Sequence, residues 1–99
     1  MEKAEYFRNE NEFNQLYEEY AFQMPLDTKE HVLHFVNHSE LEMAFEGFCI
    51  DLMTVHVKLS LDNARKFYRI GLSLGLDKES IYDPDFWTKF KSYIESVKE

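Results

Sequence analysis

Apolar residues recur along this chain at intervals of three and four, in runs separated by short polar breaks, and that spacing is the signature of amphipathic helices. Residues 2–24 carry a stripe of Phe13, Leu16, Tyr17, Tyr20 and Met24, with Tyr6 in phase one heptad earlier and Glu12, Gln15 and Glu19 on the opposite side. Asn9 followed by Glu12 resembles a capping box, so this run is expected to break into a short lead-in and a main helix. Pro25 ends it. Asp27 with Glu30 reads as the cap of a second helix reaching Asn37, with Val32, Leu33, Phe35 and Val36 on one side and His31, His34 and His38 on the other.

The third run is the densest. Ser39 is expected to be its N-cap and Glu42 the reciprocal capping-box partner. Leu41, Phe45, Phe48 and Leu52 follow at four, three and four, flanked by Ala44, Cys49 and Val55, while Met43, Ile50 and Met53 fall outside that face. A helix apolar on more than one side is packed on more than one side, so residues 39–53 are predicted to be the central, buried helix. Thr54–Leu59 alternates and is β-branched, but with no convincing second strand it reads as a helix end and an extended connector.

Ser60 caps a fourth helix with Leu61, Ala64, Phe67, Tyr68, Ile70, Leu72 and Leu74 inward, and Asp62, Arg65, Lys66 and Arg69 outward, where Asp62 can pair with Lys66. Gly75 is placed as its C′ residue, with Leu76 folding back after it. Asp83-Pro84 starts a fifth helix, whose stripe of Phe86, Trp87, Phe90, Tyr93, Ile94 and Val97 can pack inside or against a second copy. The predicted architecture is all-α: one domain, residues 1–99, a bundle of four to five short helices around a central buried helix.

Composition agrees with one self-sufficient core. The chain has 99 residues, with nine Phe, six Tyr and one Trp against three Gly and two Pro. One Cys excludes an internal disulfide, and no Cys/His zinc spacing occurs. The first residues lack a basic segment followed by an apolar run, and no apolar stretch approaches a membrane span, which predicts a cytoplasmic protein without membrane association. The formal charge of −8 is unevenly placed. Residues 1–30 hold eight acids and three bases, residues 31–54 four acids and no Lys or Arg, and residues 55–99 seven acids and eight bases. The acidic part repels nucleic acid and attracts a basic protein surface.

Chemistry-bearing patterns are sparse. His34 and His38 have the i, i+4 spacing of metal ligands, but no HExxH occurs and three ligands on one straight helix cannot surround an ion, so no metal is expected. Cys49 on the apolar face reads as an inert small hydrophobe. Glu40, Glu42, Glu46 and Asp51 do not form an evident acid–base pair, since Glu42 has a capping role and Glu46 lies one turn below it. Arg65, Lys66 and Arg69 lack interleaved exposed aromatics, so nucleic-acid binding is not expected. The livelier feature is an acidic surface with tyrosines: Glu10, Glu12, Glu18 and Glu19 around Tyr17 and Tyr20, a plausible dock for a basic protein.

The run Ser39-Glu40-Leu41-Glu42-Met43-Ala44-Phe45-Glu46-Gly47-Phe48-Cys49-Ile50-Asp51-Leu52, with Leu72-Ser73-Leu74-Gly75-Leu76-Asp77 after it, resembles the small helical immunity proteins of bacterial polymorphic-toxin and contact-dependent inhibition systems, notably the MafI-like group. Glu40, Ala44, Glu46, Leu52 and the Leu74–Asp77 run carry the resemblance, which spans about residues 36–77. It implies a non-enzymatic inhibitor without cofactor that binds the toxic domain of one effector, commonly a basic nuclease, and covers its active site. The expected contacts are Glu12, Tyr17, Glu18 and Glu19 with the Glu42/Glu46 edge, in a monomer or weak homodimer. The alternative is a generic acidic helical adaptor or regulatory subunit.

Overall fold

A computed structural model describes residues 1–97, and among them the chain forms five α-helices and no strand. They are α1 (Lys3–Tyr20), α2 (Leu26–Asn37), α3 (Leu41–Val55), α4 (Leu61–Ser73) and α5 (Phe86–Val97). A single 3₁₀ turn, Ala21–Gln23, links α1 to the corner at Pro25. The molecule is nearly isometric, 32 × 28 × 25 Å.

The central helix is where its double apolar pattern put it. Leu41, Ala44, Phe45, Phe48, Cys49 and Leu52 of α3 are all fully buried. Phe45 and Phe48 meet rings from three other helices: Phe13 of α1 at 5.8 Å from each, Phe67 of α4 at 6.1 and 6.4 Å, and Phe90 of α5 at 6.2 Å from Phe45. Offset and edge-on ring pairs at such distances add to the area term, which is worth about 1.5–3 kcal/mol for each side chain of this size. On its fourth side α3 packs along α2, where Gly47 lies under the ring of His31. The stripe of α5 turns inward: Phe86, Phe90, Tyr93 and Ile94 are buried within this chain, so that face is not free for a second copy. The side chain of Val97 lies outside the described residues.

Several helix boundaries differ from those expected, and each difference has a physical cause. Ser39 does not cap α3. It adopts φ +57°, and its N–H donates to Val36 O while the N–H of Glu40 donates to Phe35 O. These are the two bonds of a Schellman ending, so Ser39 is the left-handed terminator of α2 and cannot also hold the extended geometry of an N-cap. The N-cap of α3 is Glu40, with no side-chain bond. His56 (φ +61°) ends α3 in the same way, with Val57 N donating to Leu52 O and buried Val57 folding back. Gly75 (φ +78°) ends α4 as anticipated: its N–H reaches Leu72 O and that of Leu76 reaches Gly71 O.

Asp27 and Glu30 do not cap α2 either. Pro25 is the N-cap in an extended conformation, and Asp27 sits inside the first turn. No break occurs at Asn9, because its side chain is consumed by a tertiary contact with α4 instead of a cap. Ser60 does cap α4, accepting from Asn63 N at 3.1 Å. Asp83 caps the turn into α5 by accepting from Asp85 N at 2.9 Å, and α5 proper starts at Phe86.

Candidate protein-contact surface

The acidic residues expected to meet a partner are distributed over three directions. On α1, one edge faces α4 through a polar seam. Arg69 donates to Glu12 Oε1 at 3.0 and 3.3 Å and to Asn9 Oδ1 at 3.2 Å. The fully buried Asn9 in turn donates to Ser73 Oγ at 2.8 Å, and Ser73 donates to Glu5. Further along, Asn63 Nδ2 donates to Glu19 at 2.6 Å and to the Tyr20 hydroxyl at 2.8 Å. Glu12 and Glu19 are therefore internal fasteners between α1 and α4. Arg69, placed outward by spacing, is turned toward α1, which dissolves the Arg65/Lys66/Arg69 cluster. The Asp62–Lys66 pair is likewise absent: among the described residues the ion pairs are Arg69–Glu12 and Lys89–Asp83.

The second correction is larger. Glu46 is not part of an exposed edge with Glu42; it is fully buried. Its carboxylate accepts three successive backbone N–H groups, from Ile81 at 2.7 Å, Tyr82 at 2.8 Å and Asp83 at 3.2 Å. Successive N–H groups converging in a turn form an anion-binding nest, and the nest here is filled from within. Glu46 thereby anchors the segment between α4 and α5 to the central helix. Glu42 is half-buried near Tyr6, whose hydroxyl pKa is raised by burial and by the charges of Glu10 and Glu42. Asp51 accepts from Thr28 of α2 at 2.7 Å. The carboxylates of α3 thus leave toward three different neighbours and do not converge.

Tyr17 is half-buried, its ring 5.3 Å from Phe48, and burial raises its pKa. Of the six expected contact residues only Glu18 and Glu19 are exposed, and Glu19 is bonded to Asn63.

What the surface does present lies mostly beyond the expected set. Phe22 is 77% exposed, Leu26 67% and Leu33 54%. On α2 the buried side is Thr28 and Val32, with Phe35 and Val36 partly covered, and at 100° per residue Leu26, Glu30 and Leu33 fall on the opposite side. Leu33 was expected inward beside Val32; the wheel turns it out. Glu18, Asp27 and Glu30 are exposed in the same stretch of sequence, and Lys29 is half-buried. The signal was present in the sequence: Leu26 and Leu33 are one heptad apart and out of phase with Thr28 and Phe35.

The surface also carries concavities. A cleft of about 450 Å³ between α2, α3 and the 81–83 turn is lined by Pro25, Asp27, Thr28, His31, Asp51 and Tyr82. In it the Tyr82 hydroxyl lies 3.5 Å from His31 Nε2, and burial together with Glu46 and Glu40 raises the Tyr82 pKa. A groove of about 550 Å³ runs between α4 and α5 over Leu61, Ala64, Tyr68, Leu72 and Ile94. His38 Nδ1 lies 2.7 Å from its own helix at His34 O, and among the described residues no group of His, Cys, Asp and Glu could hold a metal ion. Cys49 is fully buried, and burial, then the charge of Glu46, pushes its thiol pKa well up, which disfavours a thiolate.

Fold and surface together define a small all-α protein with a filled core and an acidic face that carries exposed large apolar side chains. Comparison with family models, with curated proteins and with solved structures finds no match for the chain. No helix of the described residues is long and apolar enough to cross a membrane.

Proposed function

We propose that this chain is a cytoplasmic immunity protein that binds the toxic domain of one cognate effector and covers its active site. The resemblance over residues 36–77 suggests the role. The observation that carries it is the acidic, apolar-bearing exterior of the first half of the chain: Glu18, Asp27 and Glu30 are exposed with Phe22, Leu26 and Leu33. Large apolar side chains left in water beside charges of one sign are what a protein interface buries at its centre and matches at its rim. A basic nuclease cleft offers the complementary sign, and the net charge of −8 would accelerate encounter with it. The inhibitor acts by occupancy, one copy per toxin, without cofactor or nucleic acid.

The test is genetic. The reading frame adjacent to this gene is expressed alone and together with the full chain, and growth is scored; an adjacent product that is not toxic by itself would also count against immunity. Co-expression is expected to restore growth to that of cells without the toxin. Unrelieved toxicity with both proteins present in soluble form would remove the immunity reading.

A further inference from the structure

The proposed function leaves open where contact is made, and the structure narrows it. On α2, residues 26, 30, 33 and 37 form one continuous line facing away from the core, because steps of four, three and four residues advance close to full turns. Leu26 and Leu33 stand in that line with Glu30 between them. Phe22 precedes them at the Pro25 corner, with Glu18 one helical turn before it. Phe22, Leu26 and Leu33, at 54–77% exposure, serve no core, and they fall in one stretch of twelve residues that holds Asp27, Glu30 and a single Lys.

We infer that the outward face of α2, with the 3₁₀ turn before it, is the docking face, and that its occupant is a basic protein surface; this rests on the binding role proposed above. The charge pattern selects among occupants. A second copy of this chain in a two-fold dimer would set Glu18, Asp27 and Glu30 against the same acids, a like-charge interface. Nucleic acid would bring phosphates to carboxylates. An anionic membrane leaflet attracts polybasic segments, the opposite of this face. A protein whose exposed apolar side chains are interspersed with Lys and Arg satisfies both parts: Phe22, Leu26 and Leu33 meet the apolar groups, and Glu30 between the two leucines and Asp27 beside them pair with the bases.

Photo-crosslinking tests this directly. Benzoylphenylalanine is placed singly at positions 22, 26 or 33, and at exposed Thr88 of α5 as control, in the full chain expressed in its native host. The expected result is one adduct partner from 22, 26 and 33, absent from 88, whose purified form has a basic surface. Its affinity should fall more than tenfold with Leu26→Glu and with Leu33→Glu, and also with added salt, while the helical spectrum of each variant is unchanged. Because both leucines are solvent-facing, these variants keep the core intact. Adducts only from 88, adducts to a second copy or an acidic protein, or no adduct at all would overturn the assignment. The two readings fail separately. A basic partner without toxic activity retains this face and removes immunity, whereas a toxin captured only from elsewhere retains immunity and removes this face.

Discussion

Replacing Glu46 with Gln is the sharpest available perturbation of the fold. The substitution conserves volume, so no cavity complicates the reading. Oε1 accepts from Ile81 N and Oε2 from Tyr82 N and Asp83 N. An amide has one carbonyl oxygen to offer. In its better orientation it keeps Tyr82 and Asp83 and turns its own NH₂ toward the N–H of Ile81. At least one buried donor then loses its partner, at about 1–3 kcal/mol, and the retained bonds lose the strengthening of an ionised acceptor. Removing a buried charge returns part of its desolvation cost. The net expectation is a loss of about 2–3 kcal/mol, a substantial part of the ~5–15 kcal/mol typical of a domain this size. Urea unfolding followed by circular dichroism measures the loss. Hydrogen exchange locates it, because the amides of Ile81, Tyr82 and Asp83 should be protected in the wild type, and in the variant Ile81 should lose its protection while Tyr82 and Asp83 exchange faster. A stability change under about 0.5 kcal/mol with those three amides still protected would refute the claim that Glu46 fastens the segment between α4 and α5.

Three further outcomes follow from the backbone and the packing. Ser39→Gly and His56→Gly should each stabilise the chain by about 0.5–1 kcal/mol in thermal unfolding, since both residues hold a left-handed conformation that glycine adopts without strain, less the entropy glycine adds to the unfolded chain. Gly71→Ala should destabilise despite the better helix propensity of alanine, because the new methyl would sit 2.5 Å from Trp87 Cζ3; a shifted Trp87 emission maximum should accompany the loss. The carboxyl pKa of Asp83 is lowered, first by its bond from Lys89 and then by the Asp85 N–H, so its stabilisation is present above the ordinary carboxylate value of 3.8 and is lost as pH falls through the lowered folded value. Asp83→Asn should therefore be less stable than the wild type at neutral pH, and the gap should close in acid.

The fold was legible because its largest energetic feature is periodic. The Phe45/Phe48 face, the Ala64, Phe67 and Ile70 positions of α4 and the stripe of α5 are direct readings of a 3.6-residue repeat, whereas Leu72, expected inward, is 42% exposed. Polar residues were harder to read. Glu46 shares a helix with the half-buried carboxylates Glu42 and Asp51 and is indistinguishable from them in sequence until the 81–83 turn arrives from 35 residues away, bringing three N–H groups. Asn9 with Glu12, and Ser39 with Glu42, satisfy a local capping pattern, yet α4 claims the first pair and the end of α2 claims Ser39. In each case a tertiary or neighbouring demand outcompeted a bond worth about 1 kcal/mol. The bonds that Glu12 and Glu19 make to α4 were illegible for the same reason: a charge at helical spacing carries no mark of whether an Arg or Asn from another helix will reach it.

The acidic, apolar-bearing face of α2 is proposed to act by covering another protein. Calorimetric titration of the purified full chain into the product of the reading frame adjacent to its gene addresses this most directly. The predicted result is a saturable 1:1 complex that weakens as salt rises and is lost or weakened more than tenfold in Leu26→Glu/Leu33→Glu. A complex of equal affinity in that double variant, or no heat of binding from the wild type, would contradict it.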